Sequence, residues 1–155
     1  FTLGQSFAII DYLDALHPEP RLLPQDPVQR ARVLELATLI GCDIHPVNNL
    51  RVLRYLQDVL KVSPEQKDAW YRHWIHEGFR GLDAMLGDGG AGRYSHGDQP
   101  TLADICLVPQ VFNAKRFVSD ADLARYANVM RVFAQCMKLP AFDAAQPAKQ
   151  PDAEP

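Results

Sequence analysis

Three short stretches of this 155-residue chain gather side chains able to hold an anion. The first is Gln5-Ser6, at the head of the run QSFAIIDYLDALHP. Unpaired backbone amides and the positive end of a helix dipole hold a carboxylate at such a position. Ser6 also reads as a plain N-cap. The second is CDIHPVNNLR, where a proline is surrounded by His45, Asn48, Asn49 and Arg51 within an otherwise apolar helical run. A kink stabilised by side-chain hydrogen bonds accounts for the same residues equally well. The third is NAKRF, which sets Lys115 and Arg116 near the end of an apolar helix. There they can meet a substrate anion or the negative end of the helix dipole.

Other chemistry-bearing residues carry less. His73 and His76 share one helix face, but no third histidine or cysteine stands nearby, so no metal site is predicted. Asp104 lies three residues after Thr101, the spacing of a helix capping pair rather than of a general acid or base. Cys42, Cys106 and Cys136 form an odd set without a C-x-x-C spacing, each in an apolar run. They read as reduced, buried thiols of a cytosolic protein. The segment GDGGAGRYSHGDQP holds five of the nine glycines but lacks the lysine and preceding strand of a phosphate loop. It is expected to be a flexible surface connection.

These residues need helices to position them. Ile9, Ile10, Leu13 and Leu16 fall on one helical face that begins at Ser6 and closes at His17-Pro18. PEPRLLPQDP has four of the twelve prolines and predicts an extended linker across a surface. Asp26-Pro27 then starts a long helix as N-cap and first helical residue. Pro46 lacks an amide hydrogen and must break or kink that helix before Leu50, Leu53 and Leu56 resume the stripe. Ser63 to Gln66 is a capping box opening a helix with Trp70, Trp74, Phe79, Leu82 and Leu86. Thr101 to Asp104 starts a helix apolar around most of its circumference, with Ile105, Leu107 and Val108 expected to be almost inaccessible. A last helix is predicted from Leu123 to Met137, followed by a loosely ordered Pro-rich tail after Ala145. No convincing strand pattern appears, so the fold class is an all-α bundle.

Composition bounds the function. A chain that is 47% hydrophobic and 23% charged can bury the core of one domain. With 16 basic against 19 acidic residues it lacks the charge to attract nucleic acid or an anionic membrane surface. No apolar run approaches the ~18 residues of a membrane span. The chain starts at Phe1 and enters a helix almost at once, as a piece of a longer protein would.

The runs GQSFAIIDYL, LLPQDP, CDIHPVNNLRVLRYL, DQPTLADICLVPQVFNAKRF and LPAFDAAQPAKQPDA resemble, nearly end to end, the zeta-class glutathione transferases, and within them the maleylacetoacetate and maleylpyruvate isomerases. LLP-x-DP and TLAD belong to the wider superfamily, whereas HPVNNLRVL and LVPQVFNAKRF are specific to this class. The resemblance implies a glutathione transferase C-terminal-like helical bundle, preceded by the last helix of a truncated thioredoxin-like domain. Residues 1–17 would be that helix, 18–26 the linker, 27–142 the helical domain and 143–155 the tail. It implies glutathione binding by Gln5, Ser6, His45, Asn49, Leu50 and Arg51, and substrate binding by Arg51 and Arg116. The serine or cysteine that assists the glutathione thiolate falls outside these residues, so none is expected to be catalytic and the piece alone is expected to be inactive.

The implied reaction adds the glutathione sulfur across a cis double bond of a maleyl diketo acid, allows rotation, and expels the thiol to leave the trans isomer. Arginines suit such a dicarboxylate, since a guanidinium stays charged and binds a carboxylate through two hydrogen bonds. The implied protein is a cytoplasmic homodimer with glutathione as its cosubstrate. Two other readings remain: a transferase of the same class acting on halogenated acids, and a non-catalytic helical interaction module, for which Gln5, Ser6, Asn49 and Arg51 would have no use.

Overall fold

A computed structural model describes residues 1–153, and among these the β-type pairing is one isolated bridge between Ala91 and Gly97. Helix α1 runs from Ser6 to Leu16, α2 from Pro27 to Thr38, and a π-helical segment continues α2 from Leu39 to Ile44. Then come α3 (His45–Asn48), α4 (Leu50–Asp58), α5 (Pro64–Leu86), α6 (Leu102–Ala114), α7 (Asp120–Leu123), α8 (Ala127–Cys136) and α9 (Pro140–Ala144).

The local start signals work as the residue types dictate. Asp26 accepts from the amides of Val28 and Gln29 at 3.1 and 2.9 Å, with Pro27 at the first position of α2. Ser63 and Gln66 cap α5 reciprocally, the Gln66 side chain accepting from the Ser63 amide at 2.8 Å. At α6 the fully buried Asp104 carboxylate accepts from the Thr101 amide at 2.8 Å, the Thr101 hydroxyl at 3.0 Å and the Ser95 amide at 2.8 Å.

Helix α6 is the middle of the bundle. It packs on α2, on α8 and on the π-helical segment, while α5 packs on α8 and the π-helical segment. Phe79, Leu82, Leu102, Leu107, Val111, Val129 and Val132 form the interior between them. Of the three α6 residues expected to be inaccessible, Leu107 is fully buried, but Ile105 and Val108 are only half-buried. They lie with Pro109 and Phe112 on the side of α6 turned from that core, and an all-round apolar sequence cannot reveal which side is left open.

Four further expectations need correction. The predicted last helix is α8, which starts at Ala127 rather than Leu123, the end of α7; the Asp83 carboxylate of α5 accepts from the amides of Asn128 and Val129 at 2.8 and 3.0 Å and so caps α8 from a distance. The proline-rich segment does more than cross the surface: Leu23 enters the core, and the Leu22 carbonyl accepts from the Leu102 amide at 3.0 Å. The Gly-rich loop is tied down, with Tyr94 and Ser95 buried and Arg131 donating to the Gly92 carbonyl at 2.7 Å. After Ala145 the chain is held by Lys149 to Asp143 at 2.6 Å and Gln150 to the Ala144 carbonyl at 2.9 Å.

Candidate functional site

The head of α1 is open. The helix starts at Ser6, and its cap residue is Gln5, not Ser6; no side chain caps the first amides. Gln5 holds φ 70°, ψ 121°, a left-handed backbone that costs an ordinary residue roughly 1 to 3 kcal/mol. Strain of this kind, next to exposed uncapped amides at the positive end of a helix, suits a bound carboxylate. The rest of α1 is anchored. The buried Asp14 accepts from the Leu22 amide at 2.6 Å, and Asp11 pairs with Arg30 at 3.7 Å.

The second stretch lies in the interrupted helix. The chain does not break at Pro46 itself. Residues 39–44 widen into a π-helix, with the His45 amide donating to the Ile40 carbonyl, and Pro46 falls in the first turn of α3 where no amide hydrogen is needed. The true break is at Asn49, which is extended (ψ 160°) and whose side-chain oxygen accepts from the amides of Arg51 and Val52 at 3.1 and 3.2 Å. Asn49 is therefore the cap of α4. His45, Leu50 and Arg51 project from the two sides of this break into solvent, Leu50 being 61% exposed. Trp70 of α5 fixes α3 from behind by donating to the Val47 carbonyl at 2.9 Å.

One contact joins these two stretches. A β-carbon on Gly41, in the π-helical segment, would stand 2.6 Å from Phe7 Cζ, so the Phe7 ring lies directly on the glycine backbone. Phe7 follows Ser6, and Gly41 is one turn before His45. The contact thus sets the start of α1 against the π-helical segment, one turn before His45. Sequence reasoning missed both Gly41 and Phe7; the glycine inside a helical run was the available signal.

Arg116 is the remaining site residue that the sequence singles out. It follows the C-terminus of α6, exposed, with its guanidinium carbon 6.0 Å from the centroid of the Phe117 ring. Its neighbour Lys115 is engaged elsewhere, paired with Asp120 at 3.0 Å and 5.6 Å from the Phe133 centroid. Of the two cations in NAKRF, then, Arg116 is the one left to meet a ligand.

The remaining candidates resolve into structural roles. His76 Nδ1 meets the Tyr126 hydroxyl at 2.8 Å, and burial, then the nearby Arg125, holds its pKa below the usual histidine value. His73 packs edge-on against Trp74. Cys106 and Cys136 are pushed up to about 12, foremost by burial, which keeps them as unreactive thiols. Two cysteines depart from the expectation of burial: Cys42, in the π-helical segment, is exposed, and Cys106 is only half-buried. Asn48 was counted among the donors of the break, yet it is only 6% exposed and neither of its side-chain polar atoms has a partner among the described residues.

Comparison with known proteins places the chain among the glutathione transferases. A family model for the C-terminal domain of glutathione S-transferases matches residues 65–135. A protein of Vibrio cholerae named as a probable maleylacetoacetate isomerase is 50% identical over 151 residues, covering 97% of this chain and 69% of its own length. A maleylpyruvate isomerase described as a bacterial zeta-class glutathione S-transferase superposes with a TM-score of 0.93 at 48% identity, over 98% of this chain and 71% of that one. The maleylacetoacetate isomerase of Anaeromyxobacter dehalogenans, solved with dicarboxyethyl glutathione and citrate in its active site, superposes with a TM-score of 0.91 at 47% identity, over 99% of this chain and 67% of that one.

Proposed function

The chain belongs to the zeta-class glutathione transferase family of maleylacetoacetate and maleylpyruvate isomerases, and from that premise we propose that it carries the helical part of a glutathione-dependent cis–trans isomerase acting on a maleyl diketo acid. The observation that carries the proposal is the open head of α1, held by the Phe7–Gly41 contact against the helical segment that runs on into His45.

The residues present fit glutathione. The tripeptide has a carboxylate at each end, and the uncapped amides of α1 with the Gln5 and Ser6 side chains offer donors for one of them. His45, Asn49 and Arg51 at the break offer further donors, with Leu50 as apolar cover. When bound, glutathione supplies the thiol that adds to the double bond and leaves again. What this chain contributes is binding and charge. Arg51 and Arg116 present fixed cations to a substrate with two carboxylates, and such preorganised charge lowers the barrier where negative charge develops. In the same reading residues 1–17 are the last helix of a thioredoxin-like glutathione-binding domain and 27–142 the helical domain. The protein works as a homodimer in the cytoplasm.

Steady-state isomerisation of a maleyl diketo acid, by the protein that carries this chain, tests the assignment. Replacing Arg51 or Arg116 by alanine removes a charge-assisted hydrogen bond, worth roughly 1.5 to 3 kcal/mol. The corresponding loss in kcat/KM is about 10- to 150-fold. Lysine at either position recovers only part, since it keeps the charge and loses the two-point contact. Full activity in both alanine variants, with unchanged melting, overturns the dicarboxylate assignment.

A further inference from the structure

Tyr71 of α5 meets the same aromatic ring as Arg116. Its own ring is buried, with only 4% of the residue exposed, and stacks on Phe117 with centroids 3.9 Å apart and planes 23° from parallel. The Arg116 guanidinium carbon lies 6.0 Å from the centroid of that same Phe117 ring. Phe117 is therefore a platform bordered by a phenol and a guanidinium.

Both of these groups lack an acceptor. Nearby, the Tyr126 hydroxyl is bonded to His76 at 2.8 Å and Trp70 Nε1 to the Val47 carbonyl at 2.9 Å, while Trp74 Nε1 has no partner among the described residues. The Tyr71 hydroxyl makes no hydrogen bond among the described residues, and Arg116 no ion pair among them, although its neighbour Lys115 pairs with Asp120. Although the ring is buried, the Tyr71 hydroxyl itself is not fully enclosed. Two donors that meet one ring, neither with an acceptor among the described residues, suit an anion with two oxygens.

We propose that Tyr71 is a further substrate-contact residue, whose hydroxyl joins the Arg116 guanidinium in holding the two oxygens of one substrate carboxylate. The proposal rests on the assignment of Arg116 to the substrate and adds the residue that fixes the carboxylate's orientation there. Burial, only partly offset by Arg116, pushes the phenol above its ordinary pKa, so the hydroxyl is protonated at neutral pH and acts as a donor. A phenylalanine would keep the stack on Phe117 and remove the donor alone. Tyr71 is thereby a specificity device: it favours a carboxylate over a neutral group of the same shape, because only the carboxylate accepts from both partners.

A double-mutant cycle decides the matter, using Tyr71→Phe, Arg116→Ala and the pair, in the protein that carries this chain. Tyr71→Phe is expected to lower kcat/KM for the maleyl diketo acid about 10-fold, with the melting temperature and the KM for glutathione unchanged. In the Arg116→Ala background the same substitution is expected to cost less than about 2-fold, since the carboxylate is no longer held at that edge. If Arg116→Ala lowers kcat/KM and Tyr71→Phe does not, the role of Tyr71 is overturned and that of Arg116 stands. An equal loss in both backgrounds, or a loss accompanied by a lower melting temperature, also overturns it. Full activity in Arg116→Ala removes the underlying assignment instead.

Discussion

Replacing Gly41 by alanine tests whether the Phe7 contact holds the glutathione end of the site in place. The added β-carbon would stand 2.6 and 2.7 Å from Phe7 Cζ and Cε2, where relaxed carbon contacts need about 3.5 to 4.0 Å. One side must retreat by about 1 Å. The π-helical segment is packed on α2, α5 and α6, whereas Phe7 sits half-buried at the start of a helix, so the ring gives way. That displacement reaches Ser6 and Gln5 through the first turn of α1. Misplacing a positioning group by about 1 Å costs as much as 100-fold, and the expected result is a rise of about 10- to 100-fold in the KM for glutathione. The kcat at saturating glutathione should stay close to wild type. Stability should move little, because overpacking of roughly 1 to 3 kcal/mol is partly offset by about 1 kcal/mol of helix propensity gained over glycine. Initial rates with glutathione varied, beside thermal melts, read both quantities. Phe7→Leu in the alanine background shortens the clashing ring and should restore part of the affinity. An unchanged glutathione KM in Gly41→Ala, with Phe7 intact, refutes the positioning role.

Asp104→Ala leaves the Ser95 amide, the Thr101 amide and the Thr101 hydroxyl without their acceptor in a fully buried place. An unsatisfied buried donor costs roughly 1 to 3 kcal/mol, which lowers the melting temperature by about 2 to 12 °C for a chain of this size; a drop under about 2 °C would contradict the capping role. His76 has a folded-state pKa below its unfolded value, so the unfolded chain binds the proton more readily. Its contribution is complete above about pH 6.5 and is lost as the pH falls further, and melting curves of His76→Gln should show a flatter slope in that acidic window. Ellman's reagent should titrate Cys42 quickly in the native protein and all three thiols only after denaturation, since Cys106 and Cys136 are raised to about 12 by burial; rapid reaction of three native thiols would show that the interior opens readily.

Local chemistry made much of this molecule legible before any coordinates. Asp26-Pro27, Ser63 with Gln66 and Thr101 with Asp104 each satisfy helix-end amides with residues a few positions away, and all three starts stand where the residue types place them. Donors clustered around Pro46 also lie at a real interruption. Errors arose where the deciding partner is distant. Ser6 looks like a cap from its type, but the strained backbone of Gln5 takes that place and leaves the amides open. The division of α7 from α8 depends on Asp83, some forty-five residues earlier.

What the sequence determined by itself is the all-helical class, the starts of α2, α5 and α6, and the family, because capping, proline and apolar periodicity act over a few residues and the motif HPVNNLRVL is contiguous. Which faces those helices bury was decided only by packing. The stripe of α6 is apolar nearly all round, and contact with α2, α8 and the π-helical segment selects Leu107 and Val111 over Ile105 and Val108. The site belongs to the same class of decisions. The head of α1 is set against the π-helical segment by a phenylalanine ring on a glycine backbone, and Tyr71 and Arg116 both meet a third residue, Phe117. Such contacts join positions 34 and 46 residues apart, and no local spacing encodes them.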